Sequence, residues 1–179
     1  MRPGRAAAAL ALLLIAAGLF FGVSYANTIR PAGVVIHHSA LPPTPGGRPA
    51  DLATIERIHR ERGFGAFYWG RSYHVGYHYI ILPDGTVQAG RPEHCRGAHA
   101  TGFNSYIGIC LIGDFSSREN PSGALGAVEP TYAQMRSLIE LTNRLRAQYD
   151  IPLGNVIQHH DVNPNTECPG DHFPFTQFI

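Results

Sequence analysis

The chain has 179 residues, of which 44% are hydrophobic and 15% charged, with a formal net charge of +1. Those fractions exclude a disordered chain and suit an ordinary folded domain. The near-neutral balance contains no run of like charges, so nothing supports a nucleic-acid or acidic partner.

Arg2 and Arg5 precede Ala6 to Val23, a stretch without a charge, and Ser24-Tyr25-Ala26 follows with small residues of the kind a signal peptidase reads. A positive start, an apolar run and such a site make residues 1–26 an export signal. The run is also long enough to span a bilayer, so an uncleaved membrane anchor through residues 6–23 competes with cleavage. In both cases Arg2 and Arg5 keep the N-terminus cytoplasmic. Residues from about Asn27 onward then lie outside, in a periplasmic or extracellular space. Residues 27–179 leave about 150 residues, enough for one core and one domain.

Val34 to His38 is a short β-branched run and reads as a buried strand. Leu41 to Pro49, rich in Pro and Gly, must be a loop. Asp51 to Arg62 places Leu52, Ile55 and Ile58 at helical spacing, and Gly63 is a natural stop. Tyr77 to Leu82, Pro83-Asp84-Gly85 and Thr86 to Ala89 read as a hairpin. Ile107 to Ile112 is another buried strand, and 115–130 is a loop. Thr131 and Gln134 form a capping-box pattern opening the longest helix. Its inner stripe is Tyr132, Met135, Leu138, Ile139, Thr142, Leu145 and Tyr149. Val156 to His159 is a final strand. Strands alternating with two helices predict a single α/β domain with a mixed central sheet flanked by helices.

Three cysteines are an odd number for an exported protein. Cys110, in an apolar run, reads as a small buried hydrophobe, although Cys95 could pair with it. Either way Cys168 is left free.

Cys168 matters because it lies just beyond His159 and His160 in a turn-rich segment. Imidazole and thiolate are both zinc ligands, and a loop can bring them onto one ion. A further ligand must come from elsewhere, and the other adjacent pair is His37-His38. Successive strand residues point to opposite faces, so only one histidine of each pair can ligate. Three protein ligands with an open position mark a catalytic zinc, and a fourth would mark a structural one. His74, His78, His94, His99 and His172 could each supply a fourth.

Several segments then fall into one order: Ile36 to Ala40, Gly76 to Ile81 with Asp84 to Val87, Gly97 to Ala100, Ser105 to Cys110, and His159 to Gly170. Together they resemble the type 2 N-acetylmuramoyl-L-alanine amidase family. That family shares its fold with peptidoglycan recognition proteins and phage-type amidase lysozymes. The resemblance runs from about Val34 to Phe173 and implies a zinc site at one end of the sheet. It implies His37, His159 and Cys168 as the ligands, and Tyr77 as the active-site tyrosine on the hairpin strand. Thr166 falls where some phage-type members carry lysine, and its implied role is transition-state stabilisation. His99 and Asn104 flank the cleft as implied contacts to glycan or stem peptide. The Pro/Gly-rich loop after His37 is expected to wall the groove.

The implied reaction is zinc-dependent hydrolysis of the amide joining N-acetylmuramic acid to L-alanine. The implied partner is peptidoglycan or its muropeptides, acted on by a monomer. Zinc suits this chemistry, since it brings the pKa of bound water toward ~7 and polarises a carbonyl. The rival expectations are a non-catalytic peptidoglycan-binding module of the same fold and a zinc peptidase acting on the stem peptide.

Overall fold

A computed structural model describes residues 3–178. Arg2 of the positive N-terminal segment lies outside the described residues. The chain begins with helix α1 (Pro3–Ala26), strand β1 (Val34–His38) and helix α2 (Leu52–Glu61). Strands β2 (Ala66–Tyr68), β3 (Arg71–Tyr73), β4 (Tyr79–Ile81), β5 (Val87–Ala89) and β6 (Ile107–Leu111) follow. Helix α3 (Tyr132–Tyr149), strand β7 (Val156–Gln158) and the short helices α4 (His159–Val162) and α5 (Phe175–Phe178) complete it.

Five strands form one sheet in the order β5-β4-β6-β1-β7. β1 runs parallel to both β6 and β7, β4 runs parallel to β6, and β5 is antiparallel to β4. The sheet is therefore mixed, as the alternation of elements predicts. Its central strands β1 and β6 are buried along their whole length. Parallel strands covered on both faces read as continuous apolar runs, which is how these two read.

Alternation sorts the side chains onto two layers. Val34, Ile36, Ile107, Ile109 and Leu111 pack against Leu138, Leu141 and Leu145 of α3. Ile80 and Cys110 point the other way, to a smaller cluster with Ala50 and Ile55 beside α2. Helix α2 starts where Asp51 Oδ1 accepts from Thr54 N at 2.9 Å, and Gly63 follows its end at φ 79°.

Helix α3 starts in the expected capping box. Thr131 Oγ1 accepts from Gln134 N at 3.0 Å, and Gln134 Oε1 accepts from Thr131 N at 3.1 Å. The buried Gln134 amide also donates to the carbonyls of Ile81 and Ile112, clamping α3 to the sheet.

Three expectations need correction. The inner stripe of α3 is Leu138, Leu141, Thr142 and Leu145, whereas Tyr132 is 85% exposed and Ile139 38% exposed. The buried set spans one helical face, and Tyr132 and Ile139 fall off it. Strand β7 ends at Gln158, so His159 opens α4 instead of closing the strand. Tyr77 precedes β4 instead of lying in it. As the sequence reads it, Cys110 is a small buried hydrophobe; Cys95, Cys110 and Cys168 are all free thiols, and the alternative Cys95–Cys110 pairing does not form. The buried His78 ring spans the two segments instead, donating to Cys95 O at 2.8 Å and accepting from Gly108 N at 2.9 Å. The β2–β3 hairpin had no counterpart among the predicted elements.

The core sets two expectations. Leu138→Ala should cost about 2–5 kcal/mol by the cavity it leaves, while Tyr132→Ala should stay within about 0.5 kcal/mol. Urea unfolding of both variants decides between this inner face and the sequence-read stripe. His78 adds a pH dependence, because burial pushes its pKa down to about 4 from 6.5. The unfolded chain then binds the extra proton first, so stability is present above about 6.5 and falls as pH drops toward 4. The urea midpoint should be lower at pH 5 than at pH 7, with a smaller difference in His78→Gln.

Candidate metal centre and active site

Strand β1 sends His37 and His38 to opposite faces. His37 aligns with Cys110 of β6, on the α2 side of the sheet. His38 faces the α3 side, where its Nδ1 accepts from Phe115 N at 3.1 Å and lies 3.7 Å from Asp114 Oδ1. Strand β7 pairs with β1 from Val34 to Ile36, so the chain leaving Gln158 emerges beside His37. The His37 and His159 rings stand 4.5 Å apart. His160 turns outward, 3.3 Å from Asp161 Oδ1. Since both lie in α4, helical geometry and not strand alternation separates them.

The segment after α4 folds back to deliver Cys168. His160 N donates to Cys168 O at 2.9 Å, and His38 N donates to Cys168 Sγ at 3.3 Å. The ligand atoms of His37, His159 and Cys168 all lie within 4.8 Å of one another. His37 Nδ1 is 3.6 Å from Cys168 Sγ. A tetrahedral ion bonded at ~2.0–2.1 Å to nitrogen and ~2.3 Å to sulfur holds such atoms about 3.5 Å apart. This pair is therefore spaced for one ion, and the three residues could form a metal site.

Protonation states favour the same arrangement. Burial, then the neighbouring His99 and His159 rings, hold His37 well below the usual imidazole range. Burial pushes His99 down to about 3. Both rings are neutral at pH 7, and each carries a single N–H. His99 Nε2 lies 3.0 Å from Tyr106 O, a carbonyl that can only accept, so the His99 proton is on Nε2. His99 Nδ1 then accepts from His37 Nε2–H at 3.1 Å. The His37 lone pair is left on Nδ1, the atom facing Cys168. Fixing the ligating tautomer through the other ring nitrogen is a general device of metal sites. The close packing requires glycine: a Cβ on Gly108 would stand 2.5 Å from the His99 ring.

Burial pushes the Cys168 thiol up to about 12, eased slightly by the His38 N–H. A divalent cation reverses that penalty, because a coordinating thiol is deprotonated outright. Both nitrogens of His78 and of His99 are engaged by protein groups, so neither is available as a fourth ligand. His74 Nδ1 bonds Phe64 O, and His94 Nδ1 bonds Ile29 O, away from the cluster. Among the described residues the candidate set is these three, and a tetrahedral ion held by them would keep one position open.

The cluster opens into a cavity of about 240 Å3 lined by Tyr77, Thr166, His159, Cys168 and the end of α2. Tyr77 is half-buried, its ring 5.0 Å from His37. Burial, then Cys110 and Cys168, keep its phenol protonated. Thr166 Oγ1 accepts from Cys168 N at 3.2 Å, and its own hydrogen donates to no protein group among the described residues. Glu167 turns away, to Ser116 at 2.6 Å and Arg118 at 3.2 Å.

A second pocket of about 340 Å3 adjoins the first through His99, His159 and Phe64 and reaches Asn104. Asn104 Oδ1 also accepts from the backbone of His99 and Ala100, pinning the turn that carries His99. The loop 41–49 contributes no lining residue; the wall comes instead from His59, Arg62 and Phe64. Sequence reasoning passed over His59. It sits four residues after Ile55, on the inner face of α2, and that spacing was the available signal. Its Nδ1 accepts from Gly76 N at 2.9 Å, and its ring is 5.3 Å from Tyr77.

A mixed sheet with a His/His/Cys cluster at its open end defines a small α/β domain whose cluster could hold a metal ion. More particularly, the chain belongs to the N-acetylmuramoyl-L-alanine amidase family, whose profile matches residues 27–171. It is 34% identical over 149 residues to an endolysin of Klebsiella phage KP32, covering 82% of this chain and 85% of that protein. It is 30% identical over 150 residues to peptidoglycan-recognition protein SC2 of Drosophila melanogaster, covering 82% and 71%. Its fold is similar to the amidase LysC of Clostridium intestinale, with a TM-score of 0.66, 34% identity and coverage of 84% and 83%.

The hydrogen-bond relay sets the expected behaviour of His99. His99→Ala should weaken divalent-metal binding at the cluster by about 10- to 100-fold. His99→Gln, whose amide oxygen can still accept from His37, should lose less. Competition with a chromophoric chelator measures both.

Proposed function

We propose that this chain is a zinc-dependent N-acetylmuramoyl-L-alanine amidase, exported to act on peptidoglycan. Its ligands are His37, His159 and Cys168. The single observation that carries the proposal is the three-ligand cluster opening onto a cavity with two hydroxyl side chains, Tyr77 and Thr166. Its family and the phage endolysins it is similar to support the same reaction.

Zinc held there would supply Lewis acidity, polarising the amide carbonyl and acidifying water. The protein's own groups do the rest. The protonated Tyr77 hydroxyl, which bonds Cys110 in this structure, would turn to donate to the oxygen that gains charge as the carbonyl becomes tetrahedral. Thr166, already accepting from Cys168 N, has its O–H directed to the same purpose. His99 and Asn104, along the adjoining pocket, line the path for glycan or stem peptide. No carboxylate lines either pocket among the described residues. Glycan cleavage usually relies on a pair of them, so this lining favours an amide over a glycosidic bond.

Incubation with purified muropeptides tests this. The chain should release an intact stem peptide with a free L-alanine amine and leave the sugars uncut. Cys168→Ser should abolish release together with tight zinc binding. Tyr77→Phe should keep zinc and lower kcat by about 10²–10³-fold, as for loss of an oxyanion donor. Wall-fragment binding without turnover would make the chain a recognition module, and cuts within the stem would make it a peptidase.

A further inference from the structure

Helix α1 does not end in a free linker. Within two residues of Ala26 the chain is bonded into the domain, with Thr28 bridging Cys95 and Arg96 N donating to Asn27 O at 2.7 Å. Its last turns pack on the β2–β3 hairpin. The Phe20 ring lies 5.6 Å from Phe67, and the Phe21 ring 5.8 Å from Trp69. Ser24 is completely buried, and its Oγ accepts from Trp69 N at 3.2 Å. Asn27 Nδ2 donates to Phe67 O at 3.1 Å. The rest of the helix is bare: Leu12, Leu13 and Leu14 are 67%, 68% and 65% exposed.

The hairpin tip is built against local preference. Trp69 and Gly70 form its two-residue turn, at φ 42° and 88°. Turns with positive φ at both positions favour Asn, Asp and Gly, and a bulky residue there is an outlier. Such strain persists where it serves a purpose. Here it holds a tryptophan 51% exposed, beside the Phe pair of α1. Arg71 follows, its guanidinium 5.0 Å from the Tyr73 ring.

We propose that α1 is retained as a membrane anchor and that the β2–β3 hairpin rests in the bilayer interface beside it, with Trp69 at the boundary between acyl chains and headgroups. The inference rests on the outward placement of the domain given above, and not on its catalytic activity. The apolar stretch Ala8–Ala26 is about 28 Å long at 1.5 Å per residue, close to the ~30 Å hydrocarbon core. Trp69 packs on Phe20 and Phe21 and bonds Ser24, positions roughly 3 to 9 Å before the helix end on the same rise, which sets it in the outermost part of the core, directly beneath the headgroups. Tryptophan and tyrosine collect at that level because one part of each ring is apolar and another is polar. Arg71 can meet the lipid phosphates there.

Retention follows from the same contacts. Proteolysis favours exposed loop tips, whereas Ser24-Tyr25-Ala26 is helical, with Ser24 enclosed although Tyr25 is 79% exposed. Loss of residues 1–26 would strip Phe67 and Trp69 of Phe20 and Phe21. The chain runs directly from Cys95 at the anchor junction to His99 at the metal cluster, so anchor and site are joined without a loose spacer.

Trp69 is the only tryptophan in the chain, so its fluorescence reports this hairpin alone. The full chain is reconstituted in vesicles of phosphatidylcholine and phosphatidylglycerol, some carrying lipids brominated near the headgroup or deep in the acyl chains. Strong quenching by the shallow bromines, weaker quenching by the deep ones, and shielding from acrylamide are expected. The membrane-bound protein isolated after export should keep residues 1–26 by intact mass. Acrylamide access with no bromolipid quenching overturns the interfacial hairpin, and a mature protein starting at Asn27 overturns the retained anchor. None of these readouts needs hydrolysis. A silent muropeptide assay on the same preparation would count against the proposed activity and leave this inference standing.

Discussion

Strand β1 is held between two parallel neighbours, and the site depends on that confinement. Its pairing with β6 and β7 sets a single register. In that register Val34 and Ile36 enter the core beneath α3 while His37 enters the opposite layer. A slip of one residue would bury His38 at the metal cluster and turn the valine and isoleucine faces over. The hydrophobic contacts that fasten β1 therefore also choose the histidine. Because β7 ends alongside β1, the same register fixes where His159 emerges.

Burying so many imidazoles is costly unless each polar atom finds a partner. Here two rings solve the problem in the same way. His99 links Tyr106 O to His37, and His78 links Cys95 O to Gly108 N. Each joins the 95–99 segment to the middle of the sheet, and each must be neutral to do so. Groups that hold the domain together thus also set the tautomer at the metal cluster. Asn104 extends this framework by tying down the turn around His99.

The cavity lies beyond the carboxyl ends of β1 and β7, the usual place for a site in an open α/β sheet. Its floor is the rigid sheet, and its sides are the end of α2 and the segment 159–170. That division places His37, His159 and Cys168 on well-packed backbone and leaves the second pocket open toward Asn104. Next in sequence to the Phe64 wall, α1 and the β2–β3 hairpin form an apolar edge that contributes no residue to the His/His/Cys cluster.

Local signals carried much of this structure. The apolar runs of β1 and β6, the Asp51 cap, the Thr131–Gln134 box and the clustering of His and Cys near the C-terminus all depend on neighbouring residues. They were legible for that reason, and the ordered motifs singled out His37, His159 and Cys168. Other features were not local. Which of Tyr132, Ile139 and Leu141 faces inward depends on where α3 crosses the sheet, and that crossing is set by Gln134 reaching Ile81 and Ile112. The end of β7 at Gln158, the position of Tyr77 before β4, the free Cys95 and Cys110, and the wall made by His59, Arg62 and Phe64 likewise came from packing. The sequence by itself determined the elements and the chemistry of the ligands. Only the tertiary structure decided which faces meet, because contacts between segments 130 residues apart, such as His38 N to Cys168 Sγ, leave no mark in local periodicity.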